Sequence, residues 1–221
     1  MNCARRHLFV RHLAALLLSP LGFVLLVSPL GSTPAQAQAP AIPPADQQIA
    51  AAVLPAPDSL RANATVLGYD ASGKLVTLRQ GNGALICLAD DPSQDRFHVA
   101  CYQKELDPFM ARGRALRAQG LKRAAIDSAR GAEIMAGTLR MPPRPTTLYE
   151  FFGKPGSYDP ATGKVSSVTT VYVIYMPYAT EETSGLSSNP IPGGPWLMYA
   201  GKPWAHAMIV LEPPKADSTA K

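Results

Sequence analysis

Hydrophobic and polar residues alternate with a period of two in two parts of the chain, residues 64–102 and 147–211. This period is typical of β-strands, in which successive side chains point to opposite faces of a sheet. The turn residues 70–73 separate the first two strands and predict a β-hairpin, and residues 158–164 form a similar turn further along. The predicted strands are 64–69, 74–79, 85–89, 99–102, 147–152, 165–176, 196–199 and 204–211.

A helical pattern lies between the two groups of strands. Hydrophobic positions recur there at spacings of three and four, which places them on one side of a helix. They are Leu106, Phe109, Met110, Gly113 and Leu116. Asp107 followed by Pro108 predicts the start of this helix, with Asp107 as the capping acid, and Gly120 marks its end. A second helix is predicted at 124–136, before Pro142-Pro143. Two helices between strand groups predict an α+β fold, a single domain with a mainly antiparallel sheet of at least six strands.

The first 37 residues have the pattern of a signal peptide. A cationic start precedes the apolar segment 13–27, and the small-residue run 35–39 follows. Cleavage after Ala37 fits an Ala-x-Ala rule, so the mature chain is expected to begin at Gln38. We therefore expect the protein to be periplasmic or secreted.

Several other interpretations of this segment are weaker. Cleavage after Ala39 would place Pro40 directly behind the cut, where its ring restricts the preceding residue. Lipidation does not fit, because Cys3 precedes the apolar segment. A membrane span needs about 20 apolar residues, and this segment is interrupted by Pro20, Gly22 and Pro29. Arg5-Arg6 resembles a twin-arginine export signal, but paired arginines are common in any cationic start. We expect no permanent membrane span after cleavage.

Composition divides the remaining chain into three parts. Residues 38–60 are rich in alanine, proline and glutamine and are expected to form a tether, interrupted by a short helix at 46–54. Residues 61–211 are expected to form the α+β domain, and 212–221 a flexible tail.

The charge of the mature chain argues against a nucleic-acid partner. The full sequence has 21 basic and 16 acidic residues, and three arginines leave with the signal, so the net charge falls to +2. A nucleic-acid-binding domain is usually strongly basic. The helical region holds several cations without an aromatic residue between Phe109 and Tyr149 to stack on bases, which favours a solvated helix face. An anionic partner such as lipopolysaccharide stays open. The cations are Arg112, Arg114, Arg117, Lys122, Arg123, Arg130 and Arg140.

The two cysteines of the mature chain predict a disulfide. Pairing 85–89 antiparallel to 99–102 puts Cys87 and Cys101 on one face, and export supplies an oxidising compartment. The alternative is a metal site with His98, but in a strand His98 points away from Cys101. We therefore expect a disulfide and no metal or other cofactor.

Motifs for catalysis and for cation binding are weak or missing. Asp90-Asp91 with Asp95 lacks the spacing of a calcium loop, and a turn that uses Pro92 explains the same residues. The chain has no Gly-x-Ser-x-Gly or His-Glu-x-x-His sequence. No reaction can therefore be named from the sequence.

Two short segments resemble a family of exported bacterial proteins of unknown function. One is 193–208, Gly-Gly-Pro-Trp-Leu-Met-Tyr-Ala-Gly-Lys-Pro-Trp-Ala-His-Ala-Met. The other is 87–92, Cys-Leu-Ala-Asp-Asp-Pro, followed by a second cysteine. Together they cover about a tenth of the chain. The resemblance implies export and a shared fold, but no activity.

The candidate ligand-binding residues are Trp196, Trp204 and His206, in the last strand pair. If 204–211 is a strand, His206 projects among large apolar groups, where desolvation would lower its pKa and keep it neutral at a pocket wall. The alternative is that His206 is a core histidine bonded to a backbone carbonyl and that both tryptophans are packing residues.

Three classes of function follow. The leading class is a non-enzymatic binding or envelope-associated protein whose partner is an unknown small molecule or envelope component. The second is a hydrolase-like enzyme that uses His206. The third is a metal-binding module that uses His98 and the cysteines.

Overall fold

A computed structural model describes residues 42–213, which belong to one compact unit. The predicted signal peptide at 1–37 lies outside the described residues, as do residues 38–41 of the predicted tether and 214–221 of the predicted tail. Among residues 42–213, no helix is both long and apolar enough to cross a bilayer.

The described chain combines short helices with a large sheet. The helices are α1 (Ala45–Ala52), α2 (Asp58–Arg61), α3 (Asp107–Ala118), α4 (Arg123–Met135) and α5 (Glu181–Ser184). The strands are β1 (Thr65–Tyr69), β2 (Leu75–Arg79), β3 (Leu85–Leu88), β4 (Phe97–Gln103), β5 (Thr146–Gly153), β6 (Tyr158–Asp159), β7 (Lys164–Val165), β8 (Thr169–Tyr175), β9 (Pro195–Met198) and β10 (His206–Leu211).

Eight of the strands form one sheet in the order β2-β1-β3-β4-β5-β8-β10-β9, and β6 and β7 form a separate small hairpin. Neighbouring strands in the large sheet are antiparallel except β1 and β3, which are parallel. The α+β fold predicted from the sequence is confirmed. The predicted hairpin at 64–79 is also present, with Gly73 at a positive φ of 79° in its turn.

Helices α3 and α4 cover one face of the sheet. Phe109 and Leu116 of α3 are buried, as the predicted apolar stripe requires, and Phe109 packs in one cluster with Val171, Val173 and Tyr175 of β8. The hydrophobic effect stabilises this packing, by roughly 1.5–3 kcal/mol for each large side chain that is fully buried.

The predicted capping role of Asp107 is wrong, although α3 does begin there. A short 3₁₀ turn leads into the helix with Leu106 already in a helical conformation, so Asp107 is inside the first turn and makes no capping bond. Its carboxylate instead accepts hydrogen bonds from the Tyr102 hydroxyl at 2.7 Å and the Arg114 guanidinium at 3.1 Å. This network fastens α3 to β4.

Helix α1 lies on the opposite face, and it corrects the predicted tether. Ala52 and Val53 are buried in one cluster with Cys87 and Cys101, while Tyr102, the next residue of β4, points to the α3 side. The folded domain therefore begins before residue 61, and the tether prediction for 38–60 is wrong from residue 42 onward. Alanines allow the close approach of helix and sheet, and the composition alone did not distinguish them from linker residues.

Two predicted strands are shorter than expected. The segment 165–176 is broken near Ser167, which has a positive φ of 53°, so that β7 pairs with β6 and β8 begins at Thr169. The segment 204–211 becomes β10 from His206, and Trp204 lies in the preceding turn.

Candidate functional site

The predicted disulfide is confirmed. Cys87 and Cys101 lie directly opposite each other on β3 and β4, and their sulfurs are 2.07 Å apart. Both cysteines are fully buried beneath α1. A disulfide sulfur is not a thiolate ligand, so the metal-binding alternative that used the cysteines is wrong.

His98 lies on the other face of β4 and makes its contacts there. Its ring stacks on Phe152 with centroids 4.2 Å apart, and its Nε2 lies 3.0 Å from a carboxylate oxygen of Glu150. Within residues 42–213, no group of three or more histidine, cysteine and acidic side chains is placed to hold a metal ion.

Above the disulfide face, α1 borders a cavity of about 300 Å³, which we call the α1 pocket. Its walls come from three parts of the chain: α1 with the preceding Pro43, the loop 90–96 with the first residue of β4, and the hairpin segment 155–160. Four prolines, one or more from each part, give it a rigid apolar lining. They are Pro43, Pro92, Pro155 and Pro160.

Gln48 fixes α1 at this position. Its side-chain amide donates to the carbonyl oxygens of Pro43 and Tyr69, both at 2.8 Å, and accepts from the Tyr69 N–H at 2.8 Å. These bonds use both donors that the amide has and join the helix to β1. Gln48 lines the pocket, but we assign it to positioning the wall rather than to holding a ligand.

Two aromatic rings form the floor of the α1 pocket. Phe97 is only 4% exposed, and its ring is nearly parallel to that of Tyr158, with an interplanar angle of 8° and centroids 6.4 Å apart. Val99 and Val165 belong to the same apolar cluster. The floor therefore offers flat apolar contact area to a ligand.

Asp90 and Arg96 both belong to the lining of this apolar cavity. One carboxylate oxygen of Asp90 accepts the His98 backbone N–H at 2.8 Å. Burial raises the pKa of the Asp90 carboxyl above its usual range, and that hydrogen bond opposes the rise only in part. The ionised carboxylate is thus short of favourable partners. Arg96 is exposed, with its guanidinium 5.9 Å from the Phe152 ring centroid.

The structure also brings Trp204 and His206 together, in a group with Tyr175 and Tyr199 that we call the C-terminal cluster. The ring centroid of His206 is 4.9 Å from that of Tyr175 and 5.7 Å from that of Tyr199. Tyr199 has a positive φ of 56° and packs edge-on against Trp204. Trp204 lies under α4, where a Cβ atom on Gly131 would be 3.0 Å from the indole ring.

His206 is a buried histidine bonded to the backbone. It is 6% exposed, and its Nδ1 lies 2.8 Å from the carbonyl oxygen of Trp204. Burial lowers the pKa of His206, as expected from the sequence, so the ring is neutral near pH 7. These contacts are the ones that the packing alternative describes. The ligand-site and hydrolase interpretations of His206 stay predictions.

Trp196 lies beside this cluster rather than in it. It is opposite Met208 in the pairing of β9 with β10, on the sheet face that carries His206. Among residues 42–213, the ring contacts of His206 are with Tyr175 and Tyr199. The Trp204 indole N–H is buried and has no hydrogen-bond partner in the described part of the chain.

Most cations of the helical region are paired. Arg112 binds Glu133 at 2.6 Å, and Arg130 binds Asp127 at 2.7 Å with its guanidinium 3.8 Å from the Phe109 ring centroid. This pairing reduces the positive field that an anion would meet on α3 and α4.

The α1 pocket was not predicted from the sequence. A turn was predicted around Pro92 and is present at 91–94, directly after Asp90, and Phe97 was left outside the predicted strand although it begins β4. The signal that was available is the recurrence of prolines in three separate segments, before α1 and in 90–96 and 155–160. No linear spacing connects these segments, so their convergence is visible only in the structure.

Comparison of the chain with protein-family models, with curated proteins and with solved structures finds no match.

Proposed function

We propose that this chain is an exported, non-enzymatic binding protein that holds a small zwitterionic molecule with an apolar side chain in the α1 pocket. The observation that carries the proposal is the presence of Asp90 and Arg96 on the walls of one apolar cavity. Export, the periplasmic or secreted location and membership of the exported family that 193–208 resembles belong to the same proposal. The disulfide is compatible with them, because disulfides persist in oxidising compartments.

The charges of the pocket favour a ligand with both signs of charge. A half-buried carboxylate such as Asp90 gains from a charged donor, because a charge-assisted hydrogen bond replaces the water that burial removed. A purely cationic ligand would also meet the positive charge of Arg96, and a purely anionic one that of Asp90. An amino acid or dipeptide satisfies both, with its ammonium group at Asp90 and its carboxylate at Arg96.

The size and lining of the pocket support the same class of ligand. About 300 Å³ is at the small end of ligand sites, which suits a single amino acid or a dipeptide. The prolines and the rings of Phe97 and Tyr158 provide contacts for an apolar or aromatic side chain. Since prolines lose little entropy on binding, the wall is preorganised.

Isothermal titration calorimetry with a matched set of probes tests the proposal. The probes are phenylalanine, N-acetylphenylalanine, which lacks the ammonium charge, and phenylalaninamide, which lacks the carboxylate charge. We expect phenylalanine to bind about tenfold more tightly than either blocked form, since one charge-assisted hydrogen bond contributes on the order of 1.5–3 kcal/mol.

Two variants assign each charge to its partner. In Asp90→Asn, phenylalanine and N-acetylphenylalanine should bind equally, and in Arg96→Gln, phenylalanine and phenylalaninamide should bind equally. Asp95→Asn is the matched control, because Asp95 is an exposed acid of the same loop, and it should behave as the unaltered protein. Absence of binding by all three probes, or unchanged discrimination in both variants, would refute the proposal.

A further inference from the structure

A second concave surface lies on the helix side of the molecule, between the end of α4, the loop 139–145 and residues 176–178. We call it the 139–145 groove, and its volume is about 660 Å³. Its walls are mostly apolar and include Leu139, Met141 and Met176. Beside it, Met135 at the end of α4 is 88% exposed. These side chains offer apolar contact to a ligand in the groove.

Two arginines bring positive charge to the groove. Arg140 and Arg144 belong to its lining, and both are exposed. Arg144 lies 3.4 Å from a carboxylate oxygen of Glu105, but its side chain is 75% exposed. An exposed pair at this distance is weak, so the guanidinium remains able to bind another anion. The groove therefore offers guanidinium donors beside an apolar channel.

Tyr178 stands at the rim of the groove in a strained conformation. Its φ is +64°, which is unusual for a bulky residue, and its side chain is 58% exposed. The backbone is held in place because the Tyr178 N–H donates to the Lys202 carbonyl oxygen at 3.0 Å. Strain of this kind persists where the surrounding structure imposes it, and it occurs often at ligand sites. At this position the strained backbone places the Tyr178 ring at the apolar lining of the groove.

We infer that the 139–145 groove binds an anionic amphiphile, whose acyl chain lies along Leu139, Met141 and Met176 and whose phosphate or carboxylate headgroup pairs with Arg140 and Arg144. Arginine suits such headgroups because its planar donors match two anionic oxygens at once. The α1 pocket shares no residue with this groove, so the inference does not depend on the proposed function.

Titration calorimetry with three eight-carbon probes, each below its micelle concentration, tests the inference. Octyl phosphate should bind about tenfold more tightly than octanol, because of its charged hydrogen bonds, and octyltrimethylammonium should bind more weakly still. Equal affinity for octyl phosphate and octanol would refute the role of the arginines.

A double variant separates the groove from general basic charge. Arg140→Gln with Arg144→Gln should lose about tenfold in affinity for octyl phosphate. The matched control is Arg117→Gln with Lys122→Gln, which removes two exposed cations that do not line the groove, and it should bind as the unaltered protein. An equal loss in both double variants would mean that only net charge matters, which would overturn the inference.

Tyr178→Gly separates a binding role of the Tyr178 ring from a purely structural one, because melting temperature and affinity should change in different ways. Glycine adopts positive φ without steric cost, so the melting temperature should stay the same or rise, while affinity for octyl phosphate falls. A lower melting temperature with unchanged affinity would contradict the place of Tyr178 in the site.

Sedimentation with vesicles identifies the source of the headgroup. If the protein binds octyl phosphate and not phosphatidylglycerol vesicles, the ligand is a free amphiphile, and binding to the vesicles as well makes the membrane surface a source. If it binds neither octyl phosphate nor the vesicles, the inference fails.

Discussion

The α1 pocket and the C-terminal cluster each place a titratable side chain among aromatic rings, and they differ in the space beside it. In the pocket, Asp90 borders a cavity of about 300 Å³ whose walls come from α1 and two loop segments. In the cluster, the His206 ring lies against Tyr175 and Tyr199, and Trp204 packs under α4. In the pocket, two proline-containing loops leave space beside α1, whereas in the cluster the rings are in contact with one another and with α4.

Burial acts on the two titratable groups in opposite directions. It raises the pKa of Asp90 and lowers that of His206, because in both cases the charged form is the less favourable one. A perturbed pKa among aromatic residues therefore does not by itself separate a binding site from a core. The cavity makes the difference, because a ligand can supply at Asp90 the partner that the fold withholds.

The largest effect is expected for Trp204→Ala. Its indole packs into the core beside Gly131, so removal should cost about 3 kcal/mol in the free energy of unfolding, measured by urea denaturation. Phenylalanine should still bind the α1 pocket. The control is Trp196→Ala, for which we expect about 1 kcal/mol, since Trp196 lies outside that cluster's aromatic contacts. Equal losses would show that the two tryptophans are equivalent.

Removal of the disulfide should have a similar or slightly smaller effect. Cys87→Ala with Cys101→Ala opens a link with a sequence separation of 14, which corresponds to about 3 kcal/mol in the chain-entropy model. Urea denaturation with and without a reductant measures it. The unaltered protein should lose stability on reduction, and the double variant should not respond. A response of the variant to the reductant would contradict the assignment.

Gln48→Ala should destabilise the pocket side by about 2 kcal/mol, because it leaves the Tyr69 N–H and two carbonyl oxygens without their partners. Thermal and urea unfolding measure the loss. The control is Gln47→Ala, at the neighbouring and less buried position, where the change should be within about 0.5 kcal/mol. If both variants were equally stable, α1 would be held by its apolar contacts alone.

The smallest effect concerns pH. The folded protein holds the pKa of His206 below its unfolded value of 6.5, so the unfolded chain binds the proton more readily. Stability from this group is complete above pH 6.5 and falls as the pH drops toward the folded pKa. Urea midpoints at pH 7.5 and 5.5 should therefore differ less in His206→Gln than in the unaltered protein. An unchanged difference would mean that other groups control the acid response.

The strands and helices were largely predictable from local patterns. The alternation at 64–79 predicted β1 and β2, and the three-four spacing at 106–116 predicted α3 and the residues that it buries. The disulfide also followed, because antiparallel pairing of 85–89 with 99–102 places both cysteines on one face. These strands, this helix and the disulfide each depend on residues that are close in the sequence or on a single pair of strands.

The role of α1 was not predictable in the same way. Its alanines and glutamines are equally typical of a linker, and only the packing of Ala52 with Val66 and Cys101 and the bonds of Gln48 to Tyr69 show that α1 belongs to the core. Asp107 shows the same limit, since its sequence position suits a cap, but the nearby Tyr102 and Arg114 take its carboxylate. Short polar side chains bind whichever donors the fold brings closest.

The sequence by itself determined the α+β class, the order of most elements and the cysteine pairing, because periodicity and chain connectivity fix them locally. Only the tertiary structure decided that residues 42–58 belong to the domain, that Trp204 and His206 are packed together, and that Asp90 and Arg96 border one cavity. A cavity forms where loops distant in sequence fail to fill space, and that depends on the whole packing rather than on any local pattern.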